Sequence, residues 1–313
     1  MTNARINIPE PIQQAIINQQ PVVALESTVI AHGLPYPLNL ETASACEQII
    51  REIGALAATV AIVDGRPTIG LSDDELKVFA KSCAPDDSPI EKVSLSNFAG
   101  VMLRRKWGAT TVSASLKLAW LGNVKVFATG GIGGVHRGVS ETFDISADLT
   151  ALAEFPVICV CAGAKAILDL PKTIEQLETL GVPVVGFQTQ EFPAFYSRSS
   201  GLPVDVSVQS ADEVARLALA HWQMQSTSGL LVCVPIPQAF EIPANDIERA
   251  TGEALKLAQA RAIRGKAVTP FLLEQMKEIT AGRSLRANQA LLTNNARVAA
   301  QIAVSLAKIQ TVK

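Results

Sequence analysis

Short apolar runs alternate with amphipathic stretches along the chain. The runs VVALES (22–27), ATVAIV (58–63), KVSL (92–95), KVFATG (125–130), VICVCAG (157–163), VPVVGFQT (182–189) and LLVCVPI (230–236) predict strands. Several are nearly continuous in apolar residues, as strands are when both faces of a parallel sheet are covered. Between them, helical spacing of apolar positions covers 39–53, 72–81, 111–121, 144–153, 172–180, 210–222, 246–261 and 284–308. This alternation is the α/β signature, with a largely parallel central sheet. Pro171 either interrupts the segment after Lys165 or begins a new helix. The stretches APDDSPI (84–90) and QSTSGL (225–230) read as loops. With no low-complexity linker and no repeat, residues 1–313 are expected to form a single domain. The order of its strands is not readable from this pattern.

Composition narrows the class. Of 313 residues, 48% are hydrophobic, enough for a large core, and only 18% are charged, with a net charge of −2. That balance excludes a disordered chain and gives no electrostatic case for binding nucleic acid. The cysteines Cys46, Cys83, Cys159, Cys161 and Cys233 are odd in number and form no framework. Cys159 and Cys161 point to one face of a strand and read as buried thiols rather than a metal pair. No signal peptide opens the sequence, and no apolar run approaches the ~20 residues of a membrane span. A soluble, cytoplasmic protein without membrane contact is expected.

Chemistry concentrates at strand ends. Lys165 follows the apolar run 157–163, where a long ammonium side chain is expensive to bury unless something uses it. The glycine-rich stretch ATGGIGGVHRG (128–138) invites a nucleotide-loop reading that fails. His136 stands where G-x-G-x-x-G needs its third glycine, and Val139 and Ser140 follow where a P-loop needs Lys-Ser/Thr. Its glycines can still offer N–H groups to an anion, and His136 and Arg137 favour that reading over a plain turn. In ETFDISADL (141–149), Asp144 either caps a helix or joins Asp148, one turn on, as an oxygen ligand for Mg²⁺ or Mn²⁺. The lack of a His/Cys cluster argues against zinc. Glu26 ends the run VVALE, where open α/β sheets place ligands, and Lys92 opens another strand. Singly, each is a surface charge at an element boundary; together they read as a site.

Several segments, PVVALESTVIAHGLPYPLN (21–39), KVFATGGIGGVHRGVSETFDISADL (125–149), VCAGAKAILDL (160–170) and TPFLL (269–273), closely resemble the pseudouridine-5′-phosphate glycosidase family from about residue 8 to about 308. The resemblance implies a three-layer α/β/α sandwich, a homotrimer and dependence on Mn²⁺, with Mg²⁺ a possible substitute. It implies reversible cleavage of the C–C glycosidic bond of pseudouridine 5′-phosphate to uracil and ribose 5-phosphate through a lysine Schiff base. By position in the matching motifs, the nucleophile falls on Lys165, the proton donor on Glu26 and the metal-site aspartate on Asp144. Substrate contacts fall on Lys92, Val112, Ser146, Ala147, Asp148 and Asn288, and the glycine-rich segment adds Thr129, Gly130 and His136. An amine nucleophile must be neutral when it attacks, and burial with a neighbouring cation, Lys92 or Arg137, favours that form.

One stretch departs from the family pattern. Where the family usually has Val-Ser-Arg-Arg-Asp, this chain has Val93-Ser94-Leu95-Ser96-Asn97, with Arg104, Arg105 and Lys106 shortly after. Related chemistry on another nucleotide therefore stays open, as in indigoidine-cluster proteins. An inactive sugar-phosphate binding protein is disfavoured by retention of Glu26, Asp144 and Lys165.

Overall fold

The computed structural model describes residues 6–82, 89–261, 263 and 268–311. The first elements are α1 (Glu10–Ile17), β1 (Val22–Leu25), a one-turn π-helix (Val29–Gly33) and α2 (Leu38–Ile53). Next come β2 (Leu56–Val63), β3 (Arg66–Ile69), α3 (Asp73–Lys81), β4 (Ile90–Val93), α4 (Phe98–Leu103), β5 (Trp107–Thr110) and α5 (Val112–Leu121). The middle holds β6 (Val126–Ala128), α6 (Val139–Thr142), α7 (Ala147–Glu154), β7 (Ile158–Cys161), α8 (Leu170–Thr179) and β8 (Val184–Phe187). The last are β9 (Val206–Val208), α9 (Ala211–Gln223), β10 (Leu230–Cys233), α10 (Ala244–Ala260), α11 (Val268–Ile279) and α12 (Arg283–Thr311).

All ten strands among the described residues join one sheet in the order β4-β5-β2-β1-β6-β7-β10-β8-β9, with β3 paired to β2 off that path. The central strands β1, β6, β7 and β10 are buried throughout, as their continuous apolar runs predict. On one face α12 packs against α2 and α9 and over β1, β6 and β7; from the other, α5 packs with α7 and over β1, β2 and β6. Phe127, Ile62 and Leu116 lose all contact with solvent, each stabilising the fold by roughly 1.5–3 kcal/mol. Asp169 caps α8, accepting from the Lys172 N–H at 3.2 Å, with Pro171 in its first turn, so Pro171 begins a helix.

The sheet is parallel except around β2. Its first half pairs with β1 in parallel, and its second half pairs antiparallel with β3 and β5. Since β4 runs parallel to β5, both approach β1 from the opposite direction, and the carboxyl end of β5 meets that of β1. Ser27 closes this junction: its hydroxyl donates to the Val60 carbonyl at 2.8 Å and accepts from the Thr110 N–H at 2.9 Å.

All seven expected strands are present, but β3, β5 and β9 were not expected, nor were helices α1, α4, α6 and α11. Lys92 lies inside β4 rather than at its start. The helix expected at 144–153 begins at Ala147, with Ser146 as its cap, accepting from the Asp148 N–H at 3.2 Å. Asp144 therefore caps nothing and shares no helix face with Asp148. Most of the expected loop 84–90, and Cys83, lie outside the described residues. Cys46, Cys159, Cys161 and Cys233 are free and buried, as expected. Among the described residues no helix is long and apolar enough to cross a membrane.

Candidate active site

The carboxyl ends of β1, β6 and β7 open together onto a cavity of 350 Å³, closed on the other side by β4 and the start of α5. Glu26 comes directly after β1 and is only 9% exposed. Its carboxyl accepts from the hydroxyl of Thr129, which follows β6 and supports Glu26 from behind the cavity. Burial pushes the Glu26 carboxyl above its ordinary value, with Asp148 adding to the rise and Lys165, Thr129 and Lys92 opposing it. The side chain is thereby suited to carry a proton.

Lys165 reaches the same cavity four residues past β7. Gly163 makes the approach possible: its φ is +84°, and a Cβ there would stand 2.2 Å from the Pro193 carbonyl. The following residues run beside the glycine-rich loop, with Ile132 N–H donating to Gly163 at 3.1 Å and Lys165 N–H to Ile132 at 3.0 Å. The amine is thus aimed by a backbone ladder rather than by a flexible loop.

The glycine-rich loop is joined to the opposite wall by Asp148. Its two oxygens accept from the Gly133 N–H at 2.8 Å and the Ser113 N–H, in the first turn of α5, at 2.9 Å. Gly133 has no room for a side chain, because a Cβ would lie 2.3 Å from Ser146 Oγ. Val112, at the first position of α5, has an N–H with no carbonyl partner in its own helix. On α12, Asn288 faces the cavity beside Gly130, while Asn295 donates to the Thr129 carbonyl at 2.8 Å and fixes the loop entrance.

Asp144 lies on the cavity rim with its side chain 40% exposed, Oδ2 standing 4.0 Å from His136 Nε2. Burial pulls the His136 imidazole below its usual value; Asp144 opposes this, and Lys165 and Lys92 reinforce it. The ring is therefore mostly neutral near pH 7. Among the described residues no group of three His, Cys, Asp or Glu side chains is placed to hold a metal. With both Asp148 oxygens committed to backbone, the donor set is one exposed carboxylate beside an imidazole. That suits a hydrated Mn²⁺ or Mg²⁺ and does not suit a closed protein cage.

The structure brings together Glu26, Lys92, Val112, Gly130, His136, Asp144, Ser146, Ala147, Asp148, Lys165 and Asn288 around the cavity, with Thr129 one layer behind. Arg137 is a correction. It turns away from Lys165 and grips Glu248 of α10 with two contacts of 2.6 and 2.7 Å, leaving Lys92 as the expected cation on the cavity wall. Arg104, Arg105 and Lys106 are exposed and line no part of it. Asn97 staples the departing stretch, accepting from the Ser94 N–H at 2.8 Å and donating to the Lys92 carbonyl at 3.0 Å. Thr28, His32, Ser94, Phe195 and Thr269 also line the cavity and were not expected. The position of Thr28 and His32 just past β1 was a usable signal; Phe195 and Thr269 arrive from distant segments.

Fold and site together define an α/β enzyme whose cleft brings a lysine amine and a buried glutamate carboxyl together. The chain belongs to the indigoidine synthase A-like family, whose model matches residues 11–305. It is 52% identical over 307 residues to a pseudouridine-5′-phosphate glycosidase of Caldanaerobacter subterraneus subsp. tengcongensis, covering 98% of each chain. It is 49% identical over 303 residues to one of Myxococcus xanthus, covering 97% of this chain and 99% of that one. Among solved structures, the prealnumycin C-glycosynthase AlnA in complex with ribulose 5-phosphate superposes with a TM-score of 0.90 at 34% identity, over 99% of this chain and 100% of that one. An indigoidine synthase A-like protein from Thermotoga maritima gives 0.86 at 38% identity, over 96% of each.

Proposed function

We propose that this enzyme reversibly cleaves the C–C glycosidic bond of pseudouridine 5′-phosphate, giving uracil and ribose 5-phosphate. The observation that carries the reading is the pairing of Lys165 with Glu26 in one cavity. Near 50% identity to glycosidases of that name over almost the whole length supports it.

The chemistry explains the pairing. In a C-nucleoside the bond to break is carbon–carbon, and direct departure would leave charge on a uracil ring carbon. The Lys165 amine bonds to C1′ as the C1′–O4′ bond breaks and opens the ribose. Its nitrogen lone pair then forms the C1′=N iminium as the C1′–C5 bond breaks and uracil C5 takes up a proton. Water hydrolyses the imine to ribose 5-phosphate and free amine. Glu26 moves the proton at the ribose ring oxygen as the ring opens and closes. The phosphate meets Lys92, the Val112 N–H and the N-terminus of α7 at Ser146 and Ala147. Asn288 offers a donor and an acceptor to uracil. Asp144 would hold Mn²⁺ or Mg²⁺ through water, where the ion supplies charge stabilisation to bound substrate oxygens. We place the enzyme in the cytoplasm as a homotrimer. Action on a related nucleotide is the second reading, favoured by the Leu95-Ser96-Asn97 stretch, which supplies no arginine beside Lys92.

Borohydride reduction in the presence of ribose 5-phosphate should fix one pentose phosphate on the peptide carrying Lys165, read by mass mapping. Lys165→Ala should abolish both the adduct and uracil release. Full turnover by that variant overturns the reading, and release of a base other than uracil selects the second one.

A further inference from the structure

Behind Glu26, on the side away from the substrate cavity, lies a separate hollow of 20 Å³. Its polar lining is Glu26, Thr129, Asn39, Thr42, Cys46 and Thr59; the rest is apolar. That volume fits one water, and such a water is retained where two to four polar partners meet it. The Asn39 carboxamide is already committed, donating to the Ile30 and Ala80 carbonyls and accepting from the Leu40 N–H. Glu26, Thr42, Cys46 and Thr59 remain as partners.

Thr59 extends the path. It pairs in register with Leu25, the residue before Glu26, and lines the same hollow as the acid. Its hydroxyl donates at 2.7 Å to Oε1 of Glu47, a second carboxyl on α2 that is 7% exposed. Glu47 Oε2 in turn lies 3.3 Å from Arg51, which is 59% exposed. Two buried carboxyls, a hydroxyl and a water-sized hollow thus form a line from the reaction centre to the surface. An apolar pair would pack between α2 and β2 without the cost of burying a carboxyl.

We infer that Glu47 exchanges protons with Glu26 through Thr59 and one water in this hollow. The transfer balances. The Glu26 O–H bond breaks as the water takes that proton, the water passes one of its own to Thr59 Oγ1, and the Thr59 proton completes a carboxyl on Glu47. Glu47 then exchanges with solvent beside Arg51, and rotation of the Thr59 hydroxyl allows the reverse path to reload Glu26. Burial pushes both carboxyls above their ordinary value, so both hold a proton more tightly than an exposed glutamate. Around Glu47 stand Arg51 and Cys46 on α2, Thr59 on β2 and Asp73 at the start of α3. Around Glu26 stand Lys165, Lys92, Asp148 and Thr129. Glu47 acts through Glu26 and is a positioning residue for the proton.

The inference rests on the proposed role of Glu26, so Glu26→Gln is measured alongside. Glu47→Gln keeps an oxygen for Thr59 and removes only the titrating group; Thr59→Val breaks the line, and Thr59→Ser keeps it. With pseudouridine 5′-phosphate as substrate, Glu47→Gln and Thr59→Val should each lower kcat roughly tenfold, less than loss of a direct acid–base group, and alter the kcat–pH profile alike. KM should stay within about twofold, and Thr59→Ser should restore the wild-type profile. A wild-type kcat–pH profile for Glu47→Gln, beside an inactive Glu26→Gln, overturns the relay and leaves the role of Glu26 standing. If Glu47→Gln fails to fold, identical profiles for Thr59→Val and Thr59→Ser overturn it equally. Normal turnover by Glu26→Gln overturns both.

Discussion

Glu26 and Asp148 face one cavity from opposite walls, and their surroundings treat them in opposite ways. Asp148 is 5% exposed, and each of its oxygens accepts a backbone N–H. It holds two elements together, the glycine-rich loop and the first turn of α5. Glu26, buried to a similar degree, receives one hydroxyl and no backbone N–H, and burial raises its proton affinity. Residue type does not separate the carboxyl proposed to carry the proton from the structural weld; the count of fixed donors does.

The sharpest way to break this comparison is to remove the titrating group from each wall. Glu26→Gln should lower kcat by about 10²–10⁴, with KM for the phosphate substrate little changed, measured as uracil release at steady state. Asp144→Ala tests the rim, where a hydrated ion is proposed. Its activity should fall roughly 10–100-fold, and a chelator that inhibits the wild type should have little left to remove. If Asp144→Ala keeps full activity and chelator sensitivity, Asp144 does not hold the ion.

Asp148→Asn probes the weld and should register chiefly as stability. A carboxamide turns an N–H donor towards one of the two backbone N–H groups. That leaves a buried donor unpaired, at a cost of about 1–3 kcal/mol in thermal unfolding. Activity should fall too, because residue 148 no longer holds the glycine-rich loop firmly against α5. Wild-type stability in the Asp148→Asn enzyme would mean that the two carboxyls are not so different.

How far the sequence disclosed this site depends on which forces built each part. Glu26 and Lys165 were legible because continuous apolar runs mark central strands, and ligand sites gather at their carboxyl ends. The edges were less legible. β3 carries Pro67, β5 carries Gly108 and β9 has three residues, so none shows a strand period. Asp144 and Asp148 are spaced like one helix turn, yet Ser146 starts the helix between them, a choice of cap that spacing alone leaves open. Arg137 sits beside His136 in sequence, yet its partner Glu248 lies 111 residues away, beyond the reach of any local pattern. Asn295 and Phe195 are contributed by tertiary packing alone, and no local motif marks them.

The smallest effect is also the cleanest physical test of the difference between the two walls. A carboxyl whose folded value exceeds the ordinary 4.5 keeps its proton in the folded protein at a pH where the unfolded chain has lost it. In that window the folded state binds more protons, so the stability it contributes is complete below 4.5 and is lost as pH rises through the folded value. Glu26→Gln cannot titrate and should escape the loss. Its melting temperature should match the wild type most closely at pH 4.5 and gain on it as pH rises. The Lys165 ammonium favours the Glu26 carboxylate, so burial has to outweigh it for the gain to appear. Glu47 carries the same sign and remains in both proteins, so the difference between the two melting curves isolates Glu26. A difference that stays flat with pH would mean that Glu26 is no better a proton holder than an exposed glutamate, and the contrast with Asp148 would reduce to hydrogen-bond count alone.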